Sequence, residues 1–179
     1  MAKQGARRVG PSRRARRQRW TALIVVIVAI LAVVVGYFAY RAQADLPGEK
    51  KPDQGNAHIQ SADTPHDAYN SDPPTSGPHL PYIAPWGVHT RPIPRELQVH
   101  NLEDGGVLVQ YSCDCPDLVA KLRSVVEKYQ SGVILAPYPT MKSKIALTAW
   151  TRIDTLDDYD GARIVRFIQA YRGIDHHPK

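Results

Sequence analysis

A run of 21 residues without a charged side chain, from Trp20 to Tyr40, is the feature that most constrains the fold of this chain. As an α-helix, a run of that length spans about 31 Å, which matches the hydrocarbon core of a bilayer. Its Val and Ile residues favour a strand in water, but in lipid the helix pairs every backbone N–H and C=O within the segment. Aromatic side chains stand at both ends of the run, where membrane interfaces favour them. The run therefore predicts one transmembrane helix over residues 20–40.

Positive charge is concentrated just before this run. Residues 1–19 contain eight Lys and Arg and no acidic residue, whereas residues 41–179 contain 15 Lys and Arg and all 17 Asp and Glu. The formal net charge of +6 therefore combines +8 in the tail with −2 in the remainder. The positive-inside rule predicts a single-pass protein of the cell membrane with a cytoplasmic N-terminus and an extracytoplasmic C-terminal domain. We expect the tail to contact anionic inner-leaflet lipid.

The same distribution argues against nucleic acid as a partner. A protein that binds DNA or RNA neutralises phosphates with Lys and Arg, and the part of this chain after residue 40 has no basic excess.

A cleavable signal peptide is the alternative to an anchor. Ala42-Gln43-Ala44 has the A-x-A form of a cleavage site. The apolar run is longer than the usual hydrophobic region of about 7–15 residues in a signal peptide, which favours an uncleaved anchor. Both alternatives place the C-terminal domain outside the cytoplasm.

Residues 41–63 are polar and lack hydrophobic periodicity, which is typical of a linker. Residues 64–95 contain eight prolines, which exclude a helix or a central strand. Because this segment also carries Tyr69, Tyr82 and Trp86, we expect an ordered loop that wraps the exported domain, which is predicted to span residues 64–175.

Regular structure is predicted from residue 97 onward. Residues 97–102 are a short mixed segment, and Glu103-Asp104-Gly105-Gly106 is a turn signal before an apolar strand at 107–111. A helix is predicted after Pro116, a strand at 133–136, another at 144–153 and a last helix over roughly 157–172. This order predicts an α+β fold, in which two helices pack on a small mixed or antiparallel sheet.

Several motifs resemble one family, the bacterial domain of unknown function 3105. They cover nearly all of residues 64–173 and read TPHDAYN, PPTSGPH, APWGV, VHNLEDGGVLVQY, CPDLVAKL, APYP, IALTAW and ARIVRFIQAYRG. The resemblance implies a membrane-anchored exported protein, often actinobacterial, and implies no specific activity. In the family the central motif usually has a second His where this chain has Asp104. An oxygen ligand at that position shifts the preference of a metal site away from softer ions.

All seven histidines lie in the predicted exported part: His58, His66, His79, His89, His100, His176 and His177. Imidazole is the commonest metal ligand, and imidazole with carboxylate suits zinc or copper. We therefore take as candidate metal ligands His66, His79, His100, Glu103 and Asp104. The alternative is structural, with His79 hydrogen-bonded to a backbone carbonyl and His100 a satisfied core residue. His89 is a weaker candidate, and the terminal pair His176-His177 is expected to be inert.

Cys113 and Cys115 are the only cysteines. In an oxidising compartment they are a strained reducible bridge, a thiolate pair for a soft ion such as Cu(I), or two partly buried residues. They are thus a candidate redox or soft-metal pair.

Three functions follow from these patterns. The first is a non-catalytic binding module, with zinc or copper held by the histidines and carboxylates. The second is a structural protein that presents its Pro/aromatic loop to an envelope partner. The third is a metal-dependent enzyme. Although the family form HNLEH is similar to the H-x-x-E-H motif of zinc peptidases, Asp104 and the two glycines that follow it argue against that helical site.

Overall fold

The computed structural model describes residues 13–44 and 46–177. The chain divides into two compact units, and the second begins at Pro47. In the first unit, helix α1 (Arg13–Ala44) contains a stretch, Arg16–Phe38, that is long and apolar enough to cross a membrane. Residues 1–12 of the predicted basic tail lie outside the described part of the chain.

The second unit is an α+β domain, as predicted. Strands are β1 (Glu49–Lys50), β2 (Gly87–Val88), β3 (Val107–Tyr111), β4 (Val133–Pro137), β5 (Ile145–Ala149) and β6 (Arg152–Leu156). Helices are α2 (Arg95–Glu103), α3 (Pro116–Val126) and α4 (Gly161–Tyr171). The strands form one mixed sheet in the order β1-β6-β5-β3-β4-β2, in which β4 is parallel to both β2 and β3.

The core lies on both faces of this sheet. On one face, Leu108 and Ile134 cluster with Val99 and Leu102 of α2. Because successive side chains of a strand alternate, Val107, Val109 and their neighbours in β4 point to the other face, which α3 and α4 contact. The central strands are buried on both faces, so they are nearly continuous apolar runs.

Helix α2 is the main element that the sequence patterns did not predict. Residues 97–102 were expected to be a short mixed segment, and two helices were expected in the domain, whereas the structure has three. Only three apolar side chains of α2 contribute to burial, which is too few for a clear helical period. The Pro94-Arg95 junction nevertheless starts the helix and Gly105-Gly106 ends it.

The other two domain helices follow their sequence signals closely. Pro116 occupies the first turn of α3 after Cys115 as N-cap. The Asp160 side chain accepts a hydrogen bond of 2.9 Å from the backbone N–H of Arg163 and caps α4. Gly173 follows α4 with a φ of +85°, the left-handed conformation expected at that position.

Residues 144–153 were predicted as a single strand, but the structure divides them between β5 and β6. These strands form an antiparallel hairpin, and Trp150-Thr151 is its two-residue loop. Thr151 has a φ of +57°, which is uncommon for a β-branched residue. A turn was therefore not predicted at this position from the sequence.

Residues 41–63 were expected to form a linker. From Pro47 onward, the structure differs from that expectation. β1 pairs with β6, and the backbone N–H groups of Ile59 and His79 reach across to the carbonyls of His79 and Ala57 at 2.8 and 3.0 Å. Backbone hydrogen bonds hold this segment, and they leave no hydrophobic period in the sequence.

Gly106 is required where the chain turns from α2 into β3. A Cβ at this position would overlap the backbone oxygen of Asn101 and lie 2.7 Å from the Trp86 ring. We expect Gly106→Ala to lower the free energy of unfolding of the full-length protein by about 1–3 kcal/mol, the usual cost of overpacking. Chemical denaturation in detergent micelles, followed by Trp fluorescence, measures this change.

Gly161→Ala is the matched control. The three atoms nearest to its Cβ would all belong to the side chain of Tyr159, which is 37% exposed. We expect the midpoint of this control to stay near that of the wild type. Equal loss of stability in both variants would contradict the role assigned to Gly106.

Candidate metal centre

The Glu103 carboxylate lies at the centre of a histidine cluster and is 1% exposed. Its Oε2 atom faces four imidazole nitrogens. The distances are 2.9 Å to His79 Nε2, 3.5 Å to His177 Nε2, and 3.8 Å to both His58 Nε2 and His100 Nδ1. Ligand atoms of His58, His79, His100 and Glu103 all lie within 4.8 Å of one another.

Three separate segments bring these residues together. His100 and Glu103 lie on the last turn of α2, and Asp104 is its C-cap. The two carboxylates lie on the same side as His100 because they follow it by three and four positions. His79 ends the PPTSGPH motif, where a parallel bridge pairs it with His58. The rings of His58 and His79 are 5.0 Å apart, and the His79 and His100 rings are 5.1 Å apart.

The C-terminal segment closes one side of the cluster. The backbone N–H of His176 donates to the carbonyl of Glu103 at 2.9 Å, and Gly173 donates to Gly105 at 2.7 Å. The His176 ring also stacks on Trp150 with 5.8 Å between ring centroids. These contacts place His177 beside Glu103 and Asp104.

Polar contacts outside the cluster fix two of its members. Asn56 Nδ2 donates to Glu103 Oε1 at 2.8 Å, which leaves Oε2 to face the histidines. His79 Nδ1 lies 2.8 Å from the carbonyl oxygen of Gly77, so this nitrogen carries a hydrogen and donates it. The carbonyl contact expected for His79 as a structural residue is therefore present, in addition to its contact with Glu103.

The nitrogens of His100 differ from those of His79. His100 Nδ1 is buried and has no hydrogen-bond partner, although it faces Glu103 Oε2. Burial lowers the pKa of His100, which keeps the ring neutral and its lone pair available at pH 7. Hydrogen bonding to Asp175, by contrast, raises the pKa of His177.

The structure places the sequence-predicted ligands in different surroundings. It brings His79, His100 and Glu103 together, and it sets Asp104 at the rim, 3.8 Å from His100 Nε2. His66 instead contacts Glu96 on the first turn of α2, where their side-chain atoms are 3.7 Å apart.

Two cluster members were not among the predicted ligands. His58 lies in the segment expected as a linker, and His177 belongs to the terminal pair expected to be inert. Neither carries a local spacing signal, because each reaches the cluster through long-range backbone pairing. Only the three-dimensional structure shows that these two residues lie beside His79 and Glu103.

The two cysteines are joined by a disulfide, with Cα atoms 5.4 Å apart. They connect β3 to α3, and both side chains are partly exposed. In the described residues, the groups that could hold a metal ion consist of His, Asp and Glu and do not include this pair.

One comparison with known proteins gives a match. The family described as "Protein of unknown function (DUF3105)" matches residues 61–179, about two thirds of the chain, and the chain belongs to this family. No curated protein and no solved structure matches it.

The disulfide predicts a simple labelling result. We expect iodoacetamide to modify neither cysteine in the denatured, unreduced protein and both after reduction, because a bridged sulfur does not titrate as a thiolate. Mass spectrometry of the fragment that contains both residues measures the labels. Substantial modification before reduction would show that the bridge is absent.

Proposed function

We propose that this member of the DUF3105 family is a non-catalytic binding module for a transition-metal ion, zinc or copper. The ligands are His58, His79, His100 and Glu103. The observation that carries the proposal is the position of His79, whose two ring nitrogens both face oxygen acceptors in a fully buried place.

A neutral imidazole has one N–H, and the carbonyl of Gly77 takes it. His79 Nε2 then presents a lone pair to a carboxylate oxygen 2.9 Å away, unless the ring is charged. A metal ion bound by both atoms would remove the repulsion between their lone pairs, because each atom would then donate its lone pair to the ion. Histidines that bind metals commonly donate their other N–H to a carbonyl in this way.

The distances in the cluster fit one ion. Ligands at about 2.0 Å from a tetrahedral zinc lie about 3.3 Å from one another. The three distances from Glu103 Oε2 to the nitrogens of His79, His58 and His100 bracket this value, from 2.9 to 3.8 Å. A central ion would also supply the partner that His100 Nδ1 lacks.

The number of protein ligands supports binding over catalysis. A catalytic zinc site keeps one coordination position open for water or substrate, whereas a site with four protein ligands is closed. Three imidazoles and one carboxylate suit zinc or Cu(II) better than Mg²⁺ or Ca²⁺, which prefer oxygen ligands.

We also propose that α1 anchors this module in the cell membrane and that the module is extracytoplasmic. The support is the length of the apolar helix and the excess of Lys and Arg on its N-terminal side. In this orientation the basic tail contacts anionic lipid, and the disulfide lies in an oxidising compartment.

The Pro/aromatic loop supports a second candidate, contact with an envelope protein. Tyr82 is 56% exposed, which is typical of a recognition residue. Trp86, however, packs against the core, so the exposed apolar surface of this loop is small. Metal binding is therefore the better supported function.

Metal binding is tested on the full-length protein in detergent micelles after treatment with a chelator. We expect one tightly bound Zn²⁺ by elemental analysis, and a stabilisation of about 2.7 kcal/mol when free Zn²⁺ is about 100 times the dissociation constant. We expect His58→Ala to weaken binding by more than about 100-fold, because changes to residues that only orient ligands already cost about 10–100-fold. Its side chain is 46% exposed, so the variant should fold.

His66→Ala is the matched control, because His66 contacts Glu96 and not Glu103. It should bind Zn²⁺ as the wild type does. Absence of bound metal in the wild type, with no thermal shift on adding Zn²⁺ or Cu²⁺, would refute the proposed function.

The orientation of the anchor has its own test. A bacterial alkaline phosphatase fused after Lys179 should be active, because this enzyme forms its disulfides only outside the cytoplasm. A variant with Glu in place of Arg13, Arg14, Arg16 and Arg17 has the charge of this segment reversed. Its phosphatase activity should be lower, since the charge bias sets orientation. An inactive fusion of the wild-type chain would contradict the proposed location.

A further inference from the structure

A second group of ligands lies beside the first and shares one residue with it. His100, Asp104 and His177 also place their ligand atoms within 4.8 Å of one another. Asp104 Oδ1 lies 3.8 Å from His100 Nε2 and 3.7 Å from His177 Nε2. These lengths are close to the separation of about 3.3 Å between ligands of one tetrahedral ion.

His177 is oriented for coordination by a contact on its other nitrogen. Its Nδ1 lies 2.7 Å from Asp175 Oδ1, and the backbone N–H of His177 donates to the same oxygen at 3.0 Å. With Nδ1–H donated to this carboxylate, Nε2 presents its lone pair towards Asp104. A carboxylate that holds a histidine in this way is a recurrent feature of metal sites.

His100 connects the two groups through its two nitrogens. Nδ1 faces Glu103 in the first group, while Nε2 faces Asp104 in the second. Both separations are 3.8 Å, which is too long for a hydrogen bond. A single ion satisfies only one of these nitrogens, and Nδ1 is buried without a partner.

We infer that His100 bridges two metal ions, the second of which is held by Asp104 and His177. The inference rests on the proposed function, because the first ion occupies the cluster of His58, His79, His100 and Glu103. The first ion takes the lone pair of His100 Nδ1, and the remaining ring proton stays on Nε2. The second ion replaces that proton, which passes to water, and the ring becomes a bridging imidazolate. Two metal–nitrogen bonds of about 2 Å on either side of the ring place the ions about 6 Å apart.

The two positions differ in character. The first has three imidazoles and one carboxylate, and of these His79, His100 and Glu103 are buried while His58 is 46% exposed. The second has two imidazoles and one carboxylate, and its outer residues are partly exposed, at 31% for the Asp104 side chain and 40% for His177. The second position therefore leaves coordination sites for water or a small anion, and its ion exchanges faster than the first.

Cu(II) alone is the probe, added in steps to the full-length chain in detergent micelles after treatment with a chelator. We expect two equivalents to bind per chain. The double-integrated electron paramagnetic resonance signal should rise with the first equivalent and fall with the second, because an imidazolate bridge couples two Cu(II) spins antiferromagnetically.

The variants Asp104→Asn and His177→Ala each remove a ligand of the second ion only. Each should bind one equivalent and keep its full resonance signal. His89→Ala is the matched control, because its Nε2 contacts the carbonyl of Pro85 instead of either group, and it should behave as the wild type does.

The outcomes separate this inference from the proposed function. One equivalent in the wild type, or two with a full resonance signal, would overturn the bridge and leave the first site intact. Two equivalents in both variants would overturn the role of Asp104 and His177. No bound copper and no bound zinc would overturn the proposed function itself.

Discussion

The loops of this domain depend on their polar contacts with the buried carboxylate of Glu103. Burial of a charge is costly unless polar partners surround it. The partners of Glu103 come from the N-terminal segment of the domain, through Asn56 and His58, from the PPTSGPH motif, through His79, and from the C-terminal segment, through His177. None of these segments has the apolar period that would fix it to the sheet. The apolar core holds the strands and helices, and this carboxylate holds the segments between them.

The position of Glu103 in α2 adds a preference for positive charge. Glu103 is the last residue of the helix and Asp104 is its C-cap. The C-terminal end of a helix carries partial negative charge, so carboxylates there are disfavoured and cations are favoured. Two carboxylates at this end, one of them fully buried, therefore favour a bound positive charge. The proposed metal ions would supply that charge to both carboxylates.

The sequence predicted the elements that carry a strong hydrophobic pattern. Helices α3 and α4 have an amphipathic period and clear start signals, and β3 and β4 are apolar runs, so all four were found close to their observed positions. Helix α2 was missed because its buried face is largely polar: Gln98, His100, Asn101 and Glu103. These buried polar residues weaken the hydrophobic pattern that identifies a helix.

The candidate site was only partly predictable for a related reason. His79, His100 and Glu103 were identified because histidine and carboxylate in nearby motifs suggest metal binding. His58 and His177 could not be ranked above His66 and His89, since neither of the first two carries a local spacing signal. What separates them is the pairing of residues 57–59 with His79 and the attachment of residues 173–176 to the end of α2. Such long-range backbone contacts leave no trace in composition or spacing.

Asp104 shows how a single residue sets the chemistry of the outer part of this cluster. Here Asp104 supplies a carboxylate oxygen 3.8 Å from Nε2 of the His100 ring. Oxygen ligands favour harder ions and hold soft ions such as Cu(I) weakly. The proposed inner position has three imidazoles whatever residue stands at 104. Under the proposed function, a change at this one position would therefore alter the ion preference of the outer group without changing the ligands of the inner group.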